Sequence, residues 1–144
     1  MRGRTRLARP AVHAWFCLLT IVCGLALRGF GLNVGLPSLV VKYGGSMLWA
    51  TMVFFLLAIA APILSRWNIA LISVAVAVSV ELFRLVHTPW LDAFRLTLPG
   101  ALLLGRIFSL WDMVAYGVGI LLAVGLDRFA TFAASGLRRH PGAR

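Results

Sequence analysis

The chain has 144 residues, of which 61% are hydrophobic and 12% are charged, whereas a soluble domain carries about 25% charged residues. A chain this short cannot build a water-soluble core large enough to bury that much apolar surface, so the composition predicts an integral membrane protein. The formal net charge is +10, but the basic residues lie mainly at the ends of apolar runs. That placement indicates membrane topology and anionic lipid headgroups as partners, and argues against nucleic acid.

The first predicted span covers residues 11–27 and follows a basic segment, 1–10, that contains four arginines and no acid. A basic start before an apolar run also describes a secretory signal peptide. Because this run is long for the apolar part of a signal peptide and three more spans follow, we expect an uncleaved first span. Cys17 and Cys23 lie six positions apart without a nearby metal-ligand partner, so they predict neither a disulfide nor a redox motif.

The second and third spans are predicted at 46–64 and 69–87, where the apolar runs are long enough to cross a bilayer. The loop between them, 65–68, is tight, so these two spans should form an antiparallel hairpin. A glycine-rich connection, 28–45, precedes the second span. It contains a short apolar stretch, 36–41, which predicts an interfacial turn or half-helix because it is too short to span.

The fourth span is predicted at 107–126 and is followed by a basic tail. The connection before it, 88–106, is longer and contains the moderately apolar segment 98–104, which is also too short to cross the bilayer. The sequence therefore predicts a single all-α membrane domain over residues 1–144, a four-helix bundle with short interfacial segments in its two outer loops.

The distribution of arginine and lysine predicts that both termini lie in the cytoplasm, because cytoplasmic segments are richer in these residues. The two terminal segments and the loop between the second and third spans contain nine: Arg2, Arg4, Arg6, Arg9, Arg66, Arg128, Arg138, Arg139 and Arg144. The other two connections contain four: Arg28, Lys42, Arg95 and Arg106. Tryptophans near the predicted span ends agree with an interfacial aromatic belt: Trp15, Trp49, Trp67 and Trp90.

Three ionisable residues lie inside predicted spans: Glu81 and Arg84 in the third, and Asp112 in the fourth. An ionisable side chain at membrane depth costs about 2.5–3.5 kcal/mol on insertion scales, so it normally faces protein or water and has a partner. Glu81 and Arg84 are three positions apart, so they share one helical face and can pair. The third and fourth spans are antiparallel, which places Glu81 and Asp112 at a similar depth in the outer half of the membrane.

The fourth span also carries a stripe of residues at helical spacing. Asp112, Tyr116, Gly119 and Ala123 are separated by four, three and four positions, so they lie on one face. The stripe is polar at its outer end and small at its inner end. Small residues allow membrane helices to approach each other closely, so this face should contact a neighbouring helix.

These features predict a polar pocket that opens outward, because the following loop adds further charged residues near the same surface. The candidate binding residues are Glu81, Arg84, Asp92, Arg95, Arg106, Asp112 and Tyr116. Arginine suits a phosphate because its planar fork can donate two hydrogen bonds at once. A lipid headgroup or an envelope precursor is the ligand class that this hypothesis implies.

Other functions fit the same residues. Buried Glu–Arg and Asp–Arg pairs can simply hold helices together, in a structural membrane subunit. Titration of Glu81 and Asp112 could serve a small proton-coupled transporter module, which would need an oligomer to form a pathway. Either acid could act as the general base of an intramembrane enzyme, but no metal, phosphate-binding or nucleophile motif is present. We therefore predict no cofactor, and besides lipids the expected partners are a second copy or another membrane protein.

Three runs of the sequence resemble the bacterial domain-of-unknown-function family 2809, which consists of small polytopic membrane proteins. They read VKYGGSMLWATMVFF, VSVELFRLVHTPWLDAFRLT and LLLGRIFSLWDMVAYGVGI, and the resemblance covers about residues 36–127. By this resemblance the residues that match the family pattern are Tyr43, Trp49, Glu81, Trp90, Leu91, Asp92, Arg95, Gly105, Phe108, Asp112, Tyr116 and Gly119.

The sequence departs from that pattern at two places. Gly45 and Ser46 stand where the family typically has Gly-Asp, and Arg84 stands where a Gln is common. An acid is thus lost and a cation gained, and a site that needs the missing acid would be weakened or rebuilt. The arrangement of Glu81, Arg84, Asp112, Tyr116 and Gly119 is also similar, more loosely, to VanZ-like membrane proteins, which are associated with glycopeptide (teicoplanin) resistance. That second likeness is an analogy of fold.

Overall fold

The computed structural model describes residues 3–103 and 109–136, and this part of the chain is all-helical, without strands. In chain order its helices are α1 (Gly3–Phe30), α2 (Ser38–Ala60), α3 (Arg66–Phe83), α4 (Pro89–Arg95), α5 (Leu98–Leu103) and α6 (Leu110–Gly136). Four of them contain stretches long and apolar enough to cross a membrane: Pro10–Phe30, Ser38–Ala60, Arg66–Phe83 and Leu110–Ala133. The predicted all-α fold with four spans is confirmed, and the chain is a multi-pass membrane protein.

The outward faces of the four long helices are apolar, as lipid requires. Leu18, Leu56, Leu71 and Leu121, one on each of these helices, are 53%, 47%, 68% and 67% exposed, respectively. Exposed apolar surface on this scale is rare on a soluble monomer and marks contact with lipid or another protein.

A proline lies just outside each end of helix α2. Pro37 is its N-cap residue, and the fixed φ of proline suits the start of a helix. The apolar stretch 36–41 therefore contributes the start of α2 instead of a separate interfacial segment. The helix ends at Ala60, four residues before the predicted end at 64. Pro62 lies two residues after Ala60, and proline cannot donate the hydrogen bond that continuing the helix would need.

Helix α3 begins where Ser65 accepts a hydrogen bond from the backbone N–H of Asn68, at 3.2 Å, which satisfies one of the free donors of its first turn. It ends at Phe83, with Arg84 as its C-cap residue. The predicted third span, 69–87, therefore lay three to four residues too far toward the C-terminus compared with α3. The connection between the third and fourth spans contains the two short helices α4 and α5, where the sequence predicts short segments.

Helix α2 is central to the bundle, where it packs against α1, α3 and α6. Its Phe54 and Phe55 are almost fully buried. The predicted close approach along α6 is confirmed, because Gly119 lies directly against the Met47 carbonyl, where a Cβ atom would collide. Thr51 Oγ1 donates a hydrogen bond across this crossing to Gly119 O, at 2.9 Å.

Candidate functional site

The three ionisable residues predicted within the spans meet at one end of the bundle. We name it the outer end: α1 and α3 end there, and α2 and α6 begin there. Arg84 Nη1 lies 2.7 Å from Glu81 Oε2 and 2.9 Å from Asp112 Oδ2. One guanidinium thus joins the two acids and connects the end of α3 to the start of α6.

Tyr116 completes this contact between α3 and α6. Its hydroxyl accepts a hydrogen bond from Arg84 Nη2, at 3.0 Å, and donates one to Glu81 Oε2, at 3.1 Å. The residue lies one helical turn beyond Asp112, on the stripe predicted from the sequence. Its hydroxyl therefore uses both its donor and its acceptor capacity inside the protein.

The remaining carboxylate oxygens also have donors. Glu81 Oε1 accepts the backbone N–H of Ser109, at 2.7 Å, and Asp112 Oδ1 accepts the Ser46 hydroxyl, at 3.1 Å. Ser46 belongs to α2, so a third helix joins the group. We call Ser46, Glu81, Arg84, Asp112 and Tyr116 the outer network.

The outer network is almost closed to solvent. The exposed fractions of its residues are 5% for Ser46, 0% for Glu81, 8% for Arg84, 2% for Asp112 and 3% for Tyr116. Buried charges are tolerated only when they are paired and their remaining hydrogen-bonding capacity is satisfied. In the described part of the chain these side chains therefore form a buried group whose charges and hydrogen bonds are satisfied within the protein.

The two departures from the family pattern converge on one carboxylate. Ser46 contacts Asp112 Oδ1, and Arg84 contacts Asp112 Oδ2. Ser46 is not among the candidate residues predicted from the sequence. The resemblance to family 2809 offered a signal for it, because the two departures from the family pattern include Ser46 and Arg84, and both side chains contact Asp112.

Arg95 and Asp92 lie in a different group. Arg95 Nη2 donates to the Phe83 carbonyl, at 2.6 Å, and Nη1 donates to the Val86 carbonyl, at 2.8 Å. It also contacts Asp92, at 3.1 Å, and is itself only 3% exposed. Arg95 therefore caps the carbonyl end of α3 and connects α4 to that end. Among the described residues, its hydrogen bonds and ion pair involve Phe83, Val86 and Asp92 and no member of the outer network.

Asp92 is half exposed and also lies 3.2 Å from His87 Nδ1. Arg106, the other candidate binding residue, lies outside the described residues, as do Gly105 and Phe108. Of the seven predicted site residues, the structure thus brings together Glu81, Arg84, Asp112 and Tyr116.

A second charged cluster, which sequence reasoning missed, lies at the opposite end of the bundle. Asp127 of α6 contacts His13 Nε2 of α1, at 2.8 Å, and Arg66 Nη2 of α3, at 3.3 Å. Asp127 is one of only four acids in the chain, and its position just past the predicted fourth span was the signal for it. We name the end of the bundle that contains this cluster the inner end.

Comparison with known protein families confirms the resemblance to family 2809. No solved structure matches the chain. A family model matches residues 35–120, which is more than half of the chain. The matched range contains the whole outer network, whereas His13 and Asp127 of the inner cluster lie beyond it. The chain belongs to the family described as "Protein of unknown function (DUF2809)".

Proposed function

We propose that the chain is a structural protein of the bacterial cytoplasmic membrane in which the outer network locks α2, α3 and α6 together. One observation carries the proposal: both oxygens of Glu81 and of Asp112 accept a hydrogen bond or ion pair from the protein itself. A group with no unsatisfied acceptor and almost no exposed surface is suited to hold helices in register. It offers a ligand little to bind.

Arg84 is the centre of this lock. Its guanidinium contacts an acid on its own helix, and an acid and a tyrosine on α6. Removing one partner from a buried charged group leaves an uncompensated charge, which typically costs about 3–5 kcal/mol. The helices that contribute these side chains can therefore separate only at a large energetic cost.

The other hypotheses require this network to open. A headgroup bound in an outward-facing pocket would need Arg84 to release a carboxylate. A transporter that protonates Glu81 would remove the negative charge that faces Arg84 and would have to reverse the hydrogen bond between Glu81 and the Tyr116 hydroxyl. An enzyme would need its general base within hydrogen-bond reach of a substrate. Binding, transport and catalysis at this site thus stay predictions that the closed geometry does not favour.

The proposal is tested by replacing each buried acid with its amide. Glu81→Gln and Asp112→Asn keep the shape but turn an NH2 group toward a donor, and an unsatisfied buried group costs about 1–3 kcal/mol. We expect both variants to unfold at a clearly lower temperature than the unaltered protein in the same detergent. Asp92→Asn is the matched control: that side chain is 45% exposed, and its partner Arg95 keeps two carbonyl acceptors, so the loss of this charge should have a smaller effect.

If Glu81→Gln and Asp112→Asn unfold at the same temperature as the unaltered protein, the outer network does not stabilise the fold, and the result favours the hypothesis of a ligand-binding pocket.

The orientation, with both termini in the cytoplasm, is tested separately. Reporter fusions at the two ends should be active when the reporter works only in the cytoplasm, and inactive when it works only outside.

A further inference from the structure

The inner end contains an open cleft to which all four long helices contribute. Its volume is about 1200 Å³, and it lies between the start of α1, the end of α2, the loop to α3 and the second half of α6. Its polar lining includes His13, Arg66, Asp127 and Arg128, and its apolar lining includes Phe54 and Trp67. We call it the inner cleft.

The inner cleft has an excess of positive charge. Asp127 offsets one of the two arginines, so a net charge of about +1 remains when His13 is neutral. Arg66 contacts Asp127 through Nη2 alone among the described residues, which leaves its other N–H groups able to donate. Arg128 lies over the Trp67 ring, 5.4 Å from its centre, and is exposed. These donors suit an anion.

The start of α3 adds to this preference. Ser65, Arg66 and Trp67 all line the cleft, and they are the N-cap and the first two residues of an 18-residue helix. The first backbone N–H groups of a helix have no acceptor within it, and the helix dipole places partial positive charge there. Anions bind favourably at such a position, which here coincides with the two arginine side chains.

The wall of the cleft indicates that the anion is carried by a lipid. Pro62, Ile63 and Leu64 form an apolar loop beside the arginines, and Ile63 is 94% exposed. An apolar tip of this kind beside exposed cations matches the boundary between acyl chains and headgroups, where Trp67 would also be favoured. A free phosphate ion has no apolar surface to bury against this loop, whereas the acyl chains of a lipid do.

We propose that the inner cleft binds the phosphate of an anionic phospholipid, with Arg66 and Arg128 as donors and the loop 62–64 against its acyl chains. Basic pockets at the cytoplasmic side of a membrane meet the leaflet that is richer in anionic lipid. The site is at the opposite end of the bundle from the outer network. The lipid-binding proposal can therefore be tested independently of the proposed structural role of that network.

The test uses the full-length protein in a neutral detergent and measures quenching of tryptophan fluorescence by phospholipids with brominated acyl chains. Phosphatidylglycerol should bind more tightly than phosphatidylcholine. A basic side chain near an anionic surface contributes about 1 kcal/mol, so Arg66→Gln and Arg128→Gln should each weaken phosphatidylglycerol binding about fivefold. Arg128 forms no ion pair among the described residues, so its variant should fold even if Arg66→Gln proves unstable.

Lys42→Gln is the matched control, because it removes one exposed positive charge at the outer end. It should leave the preference for phosphatidylglycerol unchanged. Equal binding of the two lipids, or an equal loss with Lys42→Gln, would overturn the proposal. Inorganic phosphate is added as a competitor: if it displaces phosphatidylglycerol at equal concentration, the site recognises free phosphate and the lipid assignment is wrong.

Discussion

The two ends of the bundle use the same kinds of side chain in opposite ways. At the outer end, Arg84 is buried with two acids, and its side chain is 9% exposed. At the inner end, Arg66 contacts one acid, and its side chain is 29% exposed. The outer arginine has become part of the core, while the inner arginine borders a cleft of about 1200 Å³. Residue type alone therefore does not separate a structural ion pair from a binding group.

Desolvation explains this difference. A pair held away from water has lost the solvation of both partners, so removing one member leaves a charge that nothing compensates. A partly exposed pair keeps water around it, and its net contribution is typically about 0–1 kcal/mol. Mutations at the outer end should thus change stability, and mutations at the inner end should change binding.

The largest expected effect follows from removing the cation of the outer network. Arg84→Met leaves Glu81 and Asp112 buried without their shared partner, and we expect the free energy of unfolding to fall by about 3–5 kcal/mol. Denaturant titration in mixed micelles measures it. Lys42→Met, which removes an exposed cation at the same end, should change the value by less than about 0.5 kcal/mol. Equal losses in the two variants would erase the distinction between buried and exposed cations.

A smaller loss is expected when the hydroxyl that bridges Arg84 and Glu81 is removed. Tyr116→Phe keeps the ring but deletes two hydrogen bonds to charged groups, and such bonds contribute about 1.5–3 kcal/mol each. Because the arginine and the glutamate still contact each other, we expect a loss near the lower end of that range. An unchanged free energy of unfolding would show that the ion pair holds without the tyrosine.

The close backbone contact where α2 crosses α6 should also contribute to stability. Gly119→Ala places a methyl group against the Met47 carbonyl, and overpacking of this kind costs about 1–3 kcal/mol. The matched control is Gly117→Ala, two residues away on the same helix, where a Cβ would meet nothing within 4 Å. That variant should be neutral or slightly stabilising, since alanine favours a helix more than glycine does. Thermal unfolding of both proteins distinguishes the two positions.

The smallest effect on stability is expected at the inner end. Arg66→Gln removes a partner whose side chain is 29% exposed, and the buried Asp127 keeps His13 as its other partner. We expect the free energy of unfolding to fall by no more than about 1 kcal/mol, although the same variant should weaken binding of anionic lipid. A loss as large as that of Arg84→Met would mean that the inner cluster is also a structural lock.

Much of the fold could be predicted from the sequence, because the bilayer imposes a simple rule on span length and composition. The α6 stripe of Asp112, Tyr116, Gly119 and Ala123 was predictable from helical spacing, and the pairing of Glu81 with Arg84 from their separation by three. Span ends were less predictable: apolar residues continue past Ala60 to 64, so hydropathy alone did not show that Pro62 ends α2.

The limits of the site prediction have a physical cause. The sequence shows which residues are ionisable, but not the helix rotations that decide which of them meet. Arg95 was grouped with Arg84 because both are arginines near one membrane surface, yet Arg95 caps the carbonyls of Phe83 and Val86. The inner cluster joins His13 to Asp127, which are 114 positions apart, and no local pattern connects two such residues.

The most direct test of the structural lock is a double-mutant cycle between Arg84 and Asp112, using Arg84→Met, Asp112→Asn and both together. Residues in one buried network show coupling energies of about 0.5–3 kcal/mol. We predict that Asp112→Asn partly restores the stability lost in Arg84→Met, because it removes a carboxylate that no longer has its cation. If the two losses simply add, the arginine and the aspartate act independently, and the outer network is not the lock that holds α3 to α6.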